Sequence, residues 1–165
     1  MWTIIKFDKK NLEFLKKDFK EKLGEGLTVY SPKLFIQKYK NNRLINKEFN
    51  LMGDYLFCFH KNFNNSQTIS NLKFTRGLKY FLNGFVKSQD EIIQFINKCK
   101  KSENKKGYIS HNFFKININS EYKFSSGPFS EMIFKIIDLQ KNKINILLGN
   151  VKTTINKNEF LFSPL

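Results

Sequence analysis

The side chains best suited to nucleophilic, base or soft-metal chemistry are Cys58, Cys99, His60 and His111. Neither histidine has a cysteine or carboxylate at the spacing of a nucleophile–base pair or a metal knuckle. The two cysteines are too far apart in the chain for a redox or zinc motif, which fits reduced thiols and a cytoplasmic protein. Asp90 and Glu91 close a Ser88-Gln89-Asp90-Glu91 capping box, so their charge is accounted for by a helix start. No glycine-rich run could cradle a phosphate. These observations predict a protein that is not an enzyme and uses no metal and no cofactor.

The cations point elsewhere. Lys and Arg together number 29 against 14 Asp and Glu, a net charge of +15 on 165 residues. Only Arg43 and Arg76 are arginine, and the chain has no alanine. Abundant Lys, Asn, Ile and Phe fit an AT-rich coding bias, so part of the lysine load is ordinary solvated surface. An arginine kept against that bias stands out, because guanidinium pairs bidentately with phosphate or guanine edges and an ammonium does not. Residues 1–100 carry 19 basic and 9 acidic side chains, net +10. Residues 101–119 carry 4 and 1, net +3, and residues 120–165 carry 6 and 4, net +2. A polyanionic partner is therefore expected at the first hundred residues. No apolar run approaches the roughly 18 residues of a membrane span, so no membrane partner is expected.

The elements that position these groups follow from periodicity. Residues 2–7 read as a strand. Leu12, Leu15, Phe19 and Leu23 make the apolar stripe of a helix over 8–23, with Lys9, Lys16 and Lys20 on its flank. Residues 34–49 read as a hairpin turning at Asn41-Asn42, with Lys40 and Arg43 at its tip. Residues 51–59 read as a strand, with Tyr55, Phe57 and Phe59 on one face and Leu56, Cys58 and His60 on the other. A weak helix over 64–74, a strand over 78–82 and a helix from Ser88 with an Ile92, Ile93, Ile96, Cys99 face complete a domain over 1–100. Residues 101–113 have the composition of a basic linker. Beyond it, 114–118, 134–137, 144–148 and 151–155 are short β-type runs of a small barrel over 114–165. The predicted fold is α+β: an antiparallel sheet flanked by helices, then a β-barrel.

Several motifs in this order resemble the NusG-like family of transcription elongation factors over nearly the whole chain. Trp2 opens the first strand. Met52-Gly53-Asp54-Tyr55-Leu56-Phe57 stands where the family has Phe-Pro-Gly/Asn-Tyr-aliphatic. Tyr122-Lys123-Phe124 precedes Gly127-Pro128-Phe129, similar to the start of the family's SH3-like KOW barrel. Thr75-Arg76-Gly77 and Asn158-Glu159-Phe160, and Phe134 in place of a common KOW glycine, are closer to the specialised antiterminating paralogue RfaH.

That resemblance implies an elongation or antitermination factor that binds RNA polymerase and the nearby non-template DNA strand. It implies a polymerase-binding cavity from Met52, Tyr55, Phe57, Ile92, Ile93 and Ile96, although each is equally an ordinary core residue by type. Met52 and Gly53 depart from the family's Phe-Pro. Nucleic-acid contacts are implied at Thr75, Arg76, Lys9, Lys10, Lys16, Lys20 and Arg43. Asp18 and Glu21 stand where RfaH has basic residues, so general strand affinity is expected rather than reading of a DNA element. The KOW loops, with Phe129, Met132, Leu148 and Gly149, would recruit a small-subunit ribosomal protein or the terminator Rho. RfaH also adopts a helical form of this domain; the alternating β-branched pattern here favours the barrel. A monomer is expected. The competing reading is a ribosome-associated RNA-binding KOW protein.

Overall fold

The computed structural model describes residues 1–41, 43–110, 113–157 and 159–165, leaving out the side chain of Tyr39. Asn42, His111 and Asn158, named above for the hairpin turn, as a candidate base and in the carboxy-terminal motif, lie outside the described residues. The chain divides into two compact units. The first comprises Met1–Pro32 and Asn50–Asn97, and the second Lys33–Phe49 and Lys98–Leu165.

In the first unit, strands β1 (Trp2–Phe7), β2 (Thr28–Tyr30), β5 (Tyr55–Phe59) and β6 (Leu78–Phe81) form an antiparallel sheet in the order β2-β5-β1-β6. Alternation along β1 sends Ile5 and Phe7 to one face and Ile4 to the other. Helix α1 (Leu12–Leu23) covers the first face with the predicted stripe: Leu15 and Phe19 are buried, with Leu12 and Leu23 packed at the edges. Leu56, Cys58, Phe63, Phe81 and Leu72 of helix α2 (Ser66–Leu72) complete that core. Helix α3 (Gln89–Lys101) serves the opposite face, where Ile92 and Ile96 close over Phe57, with Trp2, Ile4 and Phe95 around them. Its start is pinned to β1 by Gln89, whose Oε1 accepts from the Trp2 amide at 2.9 Å while Nε2 donates to the Trp2 carbonyl at 2.8 Å. One amide side chain thus supplies the donor and acceptor that an adjacent strand would have offered.

In the second unit, β3 (Lys33–Lys40) and β4 (Arg43–Asn50) form the expected hairpin. Strands β7 (Glu121–Phe124), β8 (Ile133–Leu139), β9 (Lys143–Leu148), β10 (Val151–Asn156) and β11 (Phe162–Pro164) make an antiparallel sheet ordered β10-β9-β8-β7-β11. Its core is aromatic and aliphatic: Tyr122, Phe124, Phe134, Phe162, Ile136, Ile144, Ile146 and Ile155 are all buried. The Gly149-Asn150 turn between β9 and β10 uses Gly149 at φ +58°, the left-handed geometry of a two-residue hairpin. The α+β architecture with antiparallel sheets and a sheet-rich carboxy-terminal part is as the sequence predicts.

Three local expectations are corrected. Residues 51–54 are a turn, not the start of a strand: Gly53 takes φ +61° and its amide bonds back to the Asn50 carbonyl. Residues 114–118 form no strand; the Asn117 amide donates to the Tyr122 hydroxyl, and Asn119 adopts φ +65° before β7. Within the segment that reads as a linker, residues 102–110 are held by hydrogen bonds. Ser110 N donates to Ser102 O, Asn104 N to Tyr108 O and Ile109 N to Lys33 O, and Ile109 is buried. Lys, Ser, Asn and Gly have the same composition in an ordered turn as in a linker; only the buried Ile109 distinguishes them.

Candidate functional site

The open part of the first unit's sheet lies at one end of the face that α3 covers. Lys6 in β1 pairs with Tyr55 in β5 on one side and Tyr80 in β6 on the other. Because directly opposed residues share a face, the three side chains form a row across three strands. The Lys6 ammonium lies 5.5 Å from the Tyr55 ring centre and 5.7 Å from that of Tyr80. The two tyrosine hydroxyls are 3.1 Å apart. The shared bond couples the two phenols, raising the pKa of Tyr55 and lowering that of Tyr80, and the Lys6 charge favours the phenolate form. Tyr55 is half-buried and Tyr80 is exposed, so the row offers two ring surfaces and a cation to a partner. Beside it, Asp54 takes an ion pair from Lys9 at 2.9 Å, which holds its carboxyl below the usual carboxylate range.

The other residues expected at this cavity divide sharply. Phe57, Ile92 and Ile96 are 2%, 5% and 2% exposed and belong to the core beneath α3. Met52 packs against the edge of that core. Ile93 is 40% exposed, off the buried stripe of α3. The structure therefore brings Phe57, Ile92, Ile96 and Met52 together as packing, and leaves Tyr55 at the accessible edge. Lys6 and Tyr80 complete the row but are invisible in a linear reading, because only strand pairing makes them neighbours.

Thr75-Arg76-Gly77 forms a turn against the start of α1. The Gly77 carbonyl accepts from the Asp8 amide at 2.8 Å. Thr75 is buried, and its hydroxyl accepts from Lys22 Nζ at 3.1 Å, so it positions the turn rather than facing a ligand. Arg76 is exposed; its Nε donates to Asn11 Oδ1 at 3.0 Å, and its guanidinium lies 4.2 Å from the centre of the Phe14 ring. Phe14 is 50% exposed and Phe74, just before the turn, is 93% exposed. Two accessible rings and an oriented guanidinium are the ingredients of a stacking platform for unpaired bases. Sequence reasoning missed Phe14, and its signal was present: an aromatic on the polar side of the predicted helix.

The lysines are less concentrated than expected. Lys9 is tied to Asp54, and Lys16 is paired with Glu13 at 2.9 Å. Lys16 and Lys20 line a groove of about 450 Å³ with Gly24, Gly26, Leu27 and Val29. Lys10 and Lys20 are exposed and take part in no ion pair found among the described residues. Arg43, at the start of β4, is exposed and belongs to the second unit, whereas Arg76 belongs to the first.

In the second unit, Phe129 packs between Phe124 and Phe160, and Leu148 lies against the same core. Met132 is 46% exposed, and Gly149 is exposed at its turn. Of the expected partner-binding loop residues, Met132 and Gly149 are thus accessible, while Phe129 and Leu148 close the end of the core.

His60, the candidate base that can be placed, is buried and structural. Its Nδ1 accepts from the Asn62 amide at 3.2 Å, so the proton sits on Nε2, which donates to the Glu25 carbonyl at 3.2 Å. Burial pushes the Cys58 thiol up to about 12, far from a reactive thiolate. No cluster of three potential metal ligands occurs among the described residues. Nor is any helix among them long and apolar enough to cross a membrane.

No family model and no curated protein matches the chain. Among solved structures, it is similar to the MjSpt4:Spt5 complex in conformation B, with 16% identity, coverage of 100% of this chain and 98% of that one, and a TM-score of 0.31. Conformation A gives 16% identity, coverage of 99% of each chain and a TM-score of 0.33. Thermotoga maritima NusG, in a structure describing its domain interaction, gives 11% identity, coverage of 99% and 96%, and a TM-score of 0.34.

Proposed function

We propose that the chain is a non-enzymatic transcription elongation factor of the NusG-like type, acting on RNA polymerase through its first unit. The observation that best supports this reading is the Tyr55–Lys6–Tyr80 row, whose Tyr55 falls in the segment that resembles the family's Phe-Pro-Gly/Asn-Tyr-aliphatic signature. A helical element of the polymerase would lay apolar side chains over the two rings and place a carboxylate near Lys6. Arg76, Phe14 and Phe74 would meet the displaced non-template strand by stacking and phosphate pairing. Met132 and the Gly149 turn of the second unit would engage a ribosomal protein or Rho. Linked weak contacts of this kind add through effective concentration.

The reading is tested by co-purification with the homologous RNA polymerase at low salt. Wild-type chain is expected to bind, and Tyr55→Ala to lose roughly tenfold or more of its affinity while keeping its fold, as expected for an aromatic contact at the centre of an interface. A wild-type chain that does not bind polymerase at low salt overturns the proposal. Elongation on templates bearing pauses and a Rho-dependent terminator then separates the two branches: readthrough marks a specialised antiterminator, and stimulated termination a general factor.

A further inference from the structure

One recess in the second unit is a groove of about 780 Å³, within the range of small-ligand sites. Its aromatic lining is Phe35 of β3, Tyr108 and Phe160, with the Phe35 and Tyr108 ring centres 5.1 Å apart. Its cationic lining is Lys101, Lys105 and Lys106, all exposed. None of these three lysines takes part in an ion pair found among the described residues. Glu103 and Glu159 also line the groove, so its charged side chains sum to one excess positive charge.

The lysines sit on an ordered loop. Asn104 Oδ1 accepts from the Lys106 amide at 2.9 Å and the Tyr108 amide at 3.1 Å, and the Gly107 amide returns to the Asn104 carbonyl at 2.9 Å. Tyr108 is fixed in turn by its hydroxyl, which donates to Glu48, itself bound by Lys33. The small polar side chains of the lining are occupied internally: Ser126 accepts from the Leu161 amide and Ser110 donates to Ser102. The groove therefore offers ring faces and exposed ammonium groups more than directional hydrogen bonds.

We propose that this groove binds single-stranded nucleic acid, with bases lodged against Phe35, Tyr108 and Phe160 and phosphates at Lys101, Lys105 and Lys106. Stacking on π-faces with lysine along the backbone is a sequence-tolerant mode of strand capture. Duplex is disfavoured, because its bases are already stacked on one another. The inference goes beyond the proposed function: it concerns the second unit and holds whether or not polymerase is the partner of the first.

The test uses the full chain with fluorescein-labelled oligo(dT), oligo(rU) and a duplex of equal length, read by anisotropy. Replacing Lys101, Lys105 and Lys106 together by Glu is expected to weaken single-strand binding by roughly tenfold or more and to flatten its salt dependence. The matched reversal of Lys135, Lys141 and Lys143, outside the groove, is expected to change it by less than about threefold. In parallel, 5-iodouridine oligomers are expected to cross-link at Phe35, Tyr108 or Phe160. Equal losses in the two triple variants, duplex bound as tightly as single strand, or cross-links confined to Phe14 and Phe74 each overturn the proposal. So does a wild-type chain that binds no single strand.

Discussion

Phe57 and Tyr55 are two residues apart on one strand and point to the same face, yet one is sealed and the other is open. The difference is the reach of α3. Its Ile92 and Ile96 cover Phe57, whereas the row containing Tyr55 lies beyond the covered area and substitutes Lys6 and Tyr80 for further apolar packing. One sheet face is thus sealed core at one end and an accessible polar–aromatic surface at the other. An alternating pattern in sequence shows which residues share a face, but not where a helix ends over it.

The sharpest way to break this comparison is to truncate both aromatics. Phe57→Ala is expected to cost about 3–5 kcal/mol of stability in denaturant unfolding. Tyr55→Ala, at the accessible edge, is expected to cost about 1 kcal/mol or less and to act on binding instead. Comparable destabilisation by both would mean that the Tyr55 row is core as well.

The next largest effect concerns two glycines, both at left-handed φ. A Cβ on Gly77 (φ +84°) would lie 2.8 Å from the Asn11 carbonyl oxygen and 2.8 Å from the Asn11 Cβ. A Cβ on Gly127 (φ +81°) would meet the Phe160 ring at 2.5 Å. Both alanine variants carry backbone strain of about 1–3 kcal/mol. Gly77→Ala is expected to be the worse of the two in thermal unfolding, since a side chain can turn aside and the first turn before α1 cannot. It should also displace Arg76, lowering single-strand affinity at the first unit.

The smallest effect is acid sensitivity. The Asp54 carboxyl is lowered by Lys9, and Asp8 by the Lys10 amide and the Asn11 side chain. A lowered folded-state pKa gives stability that is present above the ordinary carboxylate range and lost as pH falls through the folded value. Asp54→Asn should therefore lose a small increment of stability near neutral pH and none at strongly acidic pH, in paired melts across that range. This places an acid-sensitive ion pair at the open end of the sheet, beside the Tyr55 row.

How much of this was legible beforehand depends on the range of the interactions. The α1 stripe of Leu12, Leu15, Phe19 and Leu23 is local periodicity, and it is as predicted. Strand β11 escaped because three residues carry no period; it exists through the pairing of Phe162 with Phe124 and Pro164 with Tyr122. Strand β2, paired with the far end of β5, escaped for the same reason. Among site residues, Tyr55 and Arg76 stood out by type. Lys6, Tyr80 and Phe14 acquire meaning only once strand register and the Thr75–Gly77 turn place them beside those two. Thr75, Phe129 and Leu148 look suited to contact by type and are held inside by packing and hydrogen bonding.

The burial of Cys58 and Cys99 has a practical side. Both native thiols are shielded, and that of Cys58 is pushed to about 12. A cysteine introduced at the solvent-facing Phe74 position would be the reactive thiol under mild alkylating conditions, with both native residues left in place. A single fluorophore or spin label on the first unit then reports, without background, on what approaches the Arg76 turn.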